Sequence, residues 1–170
     1  MLVKQILDVY EILDDPNVNG QVIKNYLQTI SSKCYINVIE LKGKKGNTDV
    51  VNVKILGKPR ARKGHKTPTI GLIGRLGGLG ARPEQIGFVS DGDGALAVLG
   101  IATKLLLMQN HGEYLDGDVI ISTHICPDAP TIPHLPVPFM GSPVEHWQIN
   151  QMEVSDEMDA ILCVDATKGN

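Results

Sequence analysis

Three aspartates of this chain stand where an apolar stretch gives way to a turn, and they are the first candidates for chemistry. Asp91 follows "GFVS" before a long apolar run, Asp128 follows "VIISTHICP", and Asp165 follows "AILCV". Open α/β sheets place their ligands at the carboxyl ends of the strands, so the three carboxylates are expected to converge at one edge. Like charges that converge need a cation or a proton to compensate them, which makes a metal site the first hypothesis.

The stretch "THICPDAP" adds further donor groups. His124, Cys126 and Asp128 alternate, and an extended backbone would turn all three side chains to one side. All three residue types are known zinc ligands. His134, in the proline-rich segment 127–143, is a further candidate ligand. Plainer interpretations stay open: a buried thiol, a hydrogen-bonded imidazole, and a helix cap formed by Asp91 or by Asp93, which is also a candidate ligand-binding residue.

The elements that would position these residues are those of a single α/β domain over 1–170. Helical spacing of apolar residues predicts a helix before "DDPN" and another up to residue 30. The runs "CYINVIEL" and "DVVNVKIL" predict a β-hairpin, and "TIGLIGRL", "VIISTHI" and "MDAILCVDAT" predict further strands. A helix is expected after Asp91, and a last strand so close to residue 170 leads us to expect that a C-terminal portion is missing. Apolar strands alternating with helices favour a sheet covered on both faces.

Composition excludes several function classes. A net charge of -3 and only 4% aromatic residues argue against nucleic acid as a partner. The longest apolar run, 95–108, is too short to cross a membrane and contains Lys104. Three cysteines without pairing motifs predict a reducing, cytoplasmic location. The loop "GRLGGLG" matches nucleotide-binding patterns poorly. The expected partner is a small-molecule substrate or ligand. The chain is also expected to form a homo-oligomer.

Three segments carry a resemblance to a known family: "TIGLIGRLGGLGARPEQIGFVSDGDGALAVL", "THICPDAPTIPHLPVPFMGSP" and "MDAILCVDATKGN". Through them the chain resembles the family called domain of unknown function 1177. More distantly it is similar to di-zinc aminopeptidases and carboxypeptidases. That resemblance implies a three-layer α/β/α sandwich with a central mixed, mostly parallel sheet, and a divalent metal, zinc above all. It also implies that Asp91 bridges two metals and that Asp128 and Asp165 each ligate one.

The chain departs from the peptidase pattern at several positions. Arg75 and Gly77 stand where those enzymes have a metal-binding histidine and its aspartate partner, and Pro127 stands where they have a general base. A proline cannot transfer a proton. The last histidine ligand would lie beyond Asn170. A metal site would therefore need substitutes such as His124, Cys126 or His134.

The matches to the peptidase pattern and the departures from it lead to two hypotheses. In the first, the chain is a metal-dependent hydrolase of an amide or peptide-like bond in a small molecule, with His124 as the base. In the second, it is a catalytically degenerate domain that binds a ligand or a partner subunit. Arg75 supports the second hypothesis, because a fixed cation there could neutralise Asp91 or Asp165 without a metal.

Overall fold

The structure, a computed structural model, describes residues 2–58, 67–75, 88, 92–136 and 139–165. The elements in chain order are α1 (Leu2–Asp14), α2 (Gly20–Ile30), β1 (Tyr35–Gly43), β2 (Gly46–Ile55), β3 (Ile70–Gly74), α3 (Asp93–Asn110), β4 (Val119–Ile125), β5 (Thr131–Ile132), β6 (Phe139–Met140), α4 (His146–Glu153) and β7 (Ala160–Val164). The predicted hairpin, helices and strands are all present, whereas α4 was not predicted.

The main sheet has the strand order β1-β2-β4-β3-β7. β3 is parallel to both β4 and β7, whereas β2 is antiparallel to β1 and to β4. Four of the five described strands therefore run in one direction, which confirms a mixed, mostly parallel sheet. The short β5 and β6 form a separate antiparallel pair within the proline-rich segment.

Helices cover the sheet on both faces. On one face, α3 packs against β3, β4 and β7, and α1 and α2 pack against α3. The main core lies there, between Val98, Leu99 and Leu106 of α3 and strand residues such as Val53 and Ile121. Alternation along the strands turns Val50, Asn52, Ser122 and His124 to the opposite face, which we call the α4 face, where Ile149 of α4 packs on Val50. The result is a three-layer α/β/α sandwich.

Two local features show why the chain folds this way. The Asn19 side chain accepts a hydrogen bond of 3.0 Å from the Val22 amide, which caps the start of α2. Gly46 has a φ of 140°, a conformation open to glycine, and it closes the β1–β2 turn opposite Gly43. Among the described helices, none is both long and apolar enough to span a bilayer.

Candidate functional site

The carboxyl ends of β4, β3 and β7 lie side by side at one edge of the sheet, called here the carboxyl edge. Thr123 is in register with Gly74, and Gly74 with Val164. The next residue on each strand, namely His124, Arg75 and Asp165, therefore lies at the same level. The Arg75 amide donates a 2.9 Å hydrogen bond to the Val164 carbonyl, which holds the two strand ends together.

Helix α3 begins at this same edge. A Cβ atom added to Gly94 would lie 2.5 Å from the Val164 carbonyl oxygen and would also clash with the Arg75 backbone, so only glycine permits this close approach. Gly92 is the N-cap, and Asp93 is the first helical residue, where its exposed carboxylate faces the positive end of the helix dipole. The N-cap position is thus occupied by Gly92 rather than by Asp93, and Gly92 makes no side-chain cap. Asp91 lies outside the described residues.

A buried glutamate of α4 joins two of the strand-end residues. Glu153 is only 1% exposed. Its Oε2 accepts a 2.8 Å bond from Arg75 Nη1, and its Oε1 lies 2.8 Å from His124 Nδ1. Because a carboxylate can only accept, Nδ1 of His124 carries the hydrogen. Arg75 Nη2 also donates to Asn150 Oδ1 at 2.6 Å, so the guanidinium is held by two residues of α4.

The position of α4 follows from its ends and its packing. Glu145 and Gln148 form a reciprocal capping box that starts the helix. The Asn52 side chain of β2 donates to the Met152 carbonyl at 3.0 Å and accepts from Ser122, which fastens the last turn to the sheet. Asn150 and Glu153 are three residues apart on α4 and therefore share a face of the helix, which contacts Arg75 and His124. We call Arg75, His124, Asn150 and Glu153 together the Arg75–Glu153 cluster.

Sequence reasoning placed Arg75 and His124 at the site but missed Glu153 and Asn150. A glutamate in a short polar helix is usually solvated, and nothing in "HWQINQME" marks it as buried. The sequence offered one signal, the cation of Arg75. An arginine at the end of a strand needs a carboxylate partner, and the segment "HWQINQME" contains one.

Among the residues that the structure describes, the candidate metal ligands do not lie in one group. Asp128 lies against Gly46, at the tip of the β1–β2 hairpin, whereas Asp165 follows β7 and is exposed. Because β4 and β7 are two strand positions apart, the two carboxylates are separated by about 10 Å across the sheet alone. His134 is exposed in the proline-rich segment. Within the described ranges, no three His, Cys, Asp or Glu side chains could hold a metal ion together.

The expected alignment of His124, Cys126 and Asp128 is also wrong for a physical reason. β4 ends at Ile125, and Pro127 interrupts the regular backbone, so alternation stops after Ile125. Cys126 instead packs in the main core. Burial raises the pKa of its thiol to about 12, and the nearby carboxylates of Asp128 and Asp49 add to the rise. Without a metal, this thiol is neutral at physiological pH.

The fold is similar to that of peptidase-like proteins. A mutant of tomato leucine aminopeptidase superposes with a TM-score of 0.50 at 16% identity, over 74% of this chain and 27% of that chain. A Caenorhabditis elegans leucine aminopeptidase gives 0.48 at 14% identity, over 78% and 30% of the two chains. An Acidobacteriales bacterium glutaminyl cyclase gives 0.46 at 15% identity, over 85% and 48%. This chain therefore spans less than half of each of these proteins, and the likeness concerns the fold, which is zinc-peptidase-like as expected.

Sequence comparison gives the family. A search among curated proteins finds no match to this sequence. The family model described as "Protein of unknown function (DUF1177)" matches residues 39–170, which is most of the chain. That match includes β2, β3, β4, α4 and β7, and so the whole carboxyl edge described above. The chain belongs to the DUF1177 family.

Proposed function

We propose that this chain is a zinc-peptidase-like domain that has lost hydrolysis and acts as a binding module for a small molecule. The observation that carries the proposal is the Arg75–Glu153 cluster. Where the resemblance implies a metal-binding histidine, a guanidinium stands, held by Glu153 and Asn150. Arginine stays charged at every physiological pH, so it supplies a permanent cation at the strand ends.

The described residues do not fit a metal pair. A guanidinium at the centre of the edge would repel a nearby divalent cation. Cys126 packs in the main core and not at the carboxyl edge. The candidate ligands Asp128 and Asp165 belong to different parts of the edge, as described above.

The location and the assembly state belong to the same proposal. The exposed thiol of Cys163 suits a reducing compartment, in keeping with a cytoplasmic location. A homo-oligomer remains a prediction from the sequence.

Metal content tests the proposal directly. The purified protein is exposed to zinc, cobalt and manganese, freed of excess and measured by mass spectrometry. We expect no stoichiometric metal in the wild type and no hydrolysis of dipeptides. One or two ions per chain, lost in the Asp91→Ala, Asp165→Ala double variant, would overturn the proposal and restore the metal-dependent hydrolase.

Changing Arg75 gives a second, independent test. Arg75→His restores the residue type that the resemblance implies, while Arg75→Gln removes the cation without adding a ligand. We expect zinc to bind to the histidine variant and not to the glutamine control, with far-UV circular dichroism verifying that both fold. Zinc binding that is equal in the wild type and in both variants would mean that Arg75 does not stand at the metal position.

A further inference from the structure

A second candidate site lies on the α4 face, where it borders the Arg75–Glu153 cluster at Glu153. A cavity of about 340 Å³ opens between the sheet and the segment that runs from the end of α4 into the following turn. Its size lies in the range of small-molecule sites. Tyr35, Ile120, Met152 and Met158 contribute apolar walls. We infer that this cavity binds a small zwitterion with an apolar side chain, that is, a free α-amino acid or a molecule of the same chemistry.

Strand register builds the floor of the cavity. Tyr35 of β1 is the cross-strand partner of Lys54, and Lys54 is in turn the partner of Ile120 on β4. One step along on the same face, Asn37 is the partner of Asn52. Cross-strand partners have side chains about 5 Å apart, so these residues form a continuous surface with one charge in it.

The charged groups at the rim are a displaceable pair. The Lys54 ammonium pairs with the Glu157 carboxylate, and both residues line the cavity. The two side chains are 30% and 60% exposed, and ion pairs with this exposure hold together weakly. A ligand that brings its own carboxylate to Lys54 and its own ammonium to Glu157 can therefore separate them at little cost.

The remaining charges favour a zwitterion over a plain anion. Glu153 lies in the cavity wall, but its two oxygens are already engaged by Arg75 and His124. The last turn of α4, with Met152 and Glu153, presents the negative end of its dipole to the cavity. Negative potential on this side and one ammonium on the other suit a ligand with both charges. They do not suit a phosphate dianion, which would need more donors than Lys54 offers.

The polar groups beside the charges are arranged for a ligand of this kind. Asn52 is fixed by its bonds to the Met152 carbonyl and to Ser122, so it is part of the wall. The amide of Asn37 is exposed beside it and can bond a carboxylate or an amino group. The apolar side chain of the ligand would replace water against the two methionines, whose unbranched side chains adapt to different shapes.

Three probes that share one apolar body test the inference. L-phenylalanine carries both charges, 3-phenylpropionate only the carboxylate, and 2-phenylethylamine only the ammonium. Titration calorimetry at neutral pH should show saturable binding of phenylalanine at millimolar concentration or below, and binding of each analogue weaker by at least about tenfold, which is 1.4 kcal/mol. Equal binding of all three, or no binding of phenylalanine, leucine or methionine, would overturn the inference.

Variants assign the binding to this cavity. Lys54→Met and Glu157→Gln should each weaken the binding of phenylalanine by about tenfold or more. Lys58→Met, which breaks the exposed Lys58–Asp116 pair elsewhere, is the matched control and should bind as the wild type does. If Lys54→Met fails to fold, the exposed Glu157→Gln carries the test, and unchanged binding there refutes the site.

This inference goes beyond the proposed function, because the cavity uses neither Arg75 nor Asp165. A chelator should leave phenylalanine binding unchanged. Metal in the wild-type protein would overturn the proposed function and leave this inference intact. Failure of the wild type to bind the amino acid would overturn this inference and leave the proposed function intact.

Discussion

Removing Arg75 should destabilise the fold much more than removing any surface cation. Glu153 is 1% exposed and has charged or donor partners only in Arg75 and His124 among the described residues. In Arg75→Met the carboxylate keeps the His124 donor and loses the guanidinium. Breaking a buried pair in this way costs about 3–5 kcal/mol. Because the Arg75 side chain is 28% exposed, water can reach part of the gap, and we expect about 3 kcal/mol.

A mutant cycle separates this effect from lost packing. Glu153→Gln leaves Arg75 bound to Asn150 and open to water, so its cost should be about 1–2 kcal/mol. In the double variant no buried charge is left unpaired. The double variant should therefore lose about 1–3 kcal/mol less stability than the sum of the losses in the two single variants.

Urea unfolding at neutral pH, followed by circular dichroism, measures all three variants. The matched control is Lys58→Met, whose partner Asp116 is fully exposed, and it should leave the free energy of unfolding unchanged. The reasoning is refuted if Arg75→Met falls within about 0.5 kcal/mol of the wild type. Additive single costs would show that the two residues act separately.

Two further predictions concern backbone approach and thiol ionisation. Gly94→Ala should cost about 1–3 kcal/mol in a urea titration, because its Cβ meets strand backbone, whereas Gly100→Ala in the same helix meets only the movable end of Ile6 and should change little. Folded protein should alkylate at exposed Cys163 well before Cys126, and equal rates would contradict the raised pKa of the buried thiol. Since that pKa rises from 9.0 to about 12 on folding, the thiol's contribution to stability is constant below pH 9.0 and is lost as the pH rises towards about 12.

The strands that border the site could be predicted because their patterns are unambiguous. The hairpin carries β-branched runs on either side of a glycine turn, and the fully buried β4 opens with the apolar run "VII" and continues with β-branched Thr123 and Ile125. Strand-end position predicted Asp165 at the carboxyl edge. Arg75 was placed there by the resemblance to the peptidases, and His124 was chosen from the alternating donors of "THICPDAP". The register puts these three residues at one level.

Helix α4 and its glutamate could not be predicted in the same way. Its N-cap is Glu145, which is not among the preferred capping residues, and only two of its eight side chains are buried. Without an apolar stripe the segment has no helical signature. Glu153 is 78 residues from Arg75 in sequence, so their pairing depends on tertiary packing that local patterns do not encode.

Asp128 shows the opposite error, in which a correct local rule is extended too far. Alternation holds within β4, yet the strand ends at Ile125 and the proline that follows redirects the chain towards Gly46. The first residue after a strand, such as Asp165, therefore stays at the sheet edge. A residue three positions after the strand end, such as Asp128, does not.

The charges at the carboxyl edge explain why α4 and Arg75 belong together. Arg75 is a fixed cation at the carboxyl edge, and a partly buried guanidinium needs a partner that holds it in place. Glu153 supplies that partner, and its second oxygen also fixes the ring of His124. The same helix end forms a wall of the amino acid cavity, so any movement of the last turn of α4 on binding would reach the carboxyl edge through Glu153.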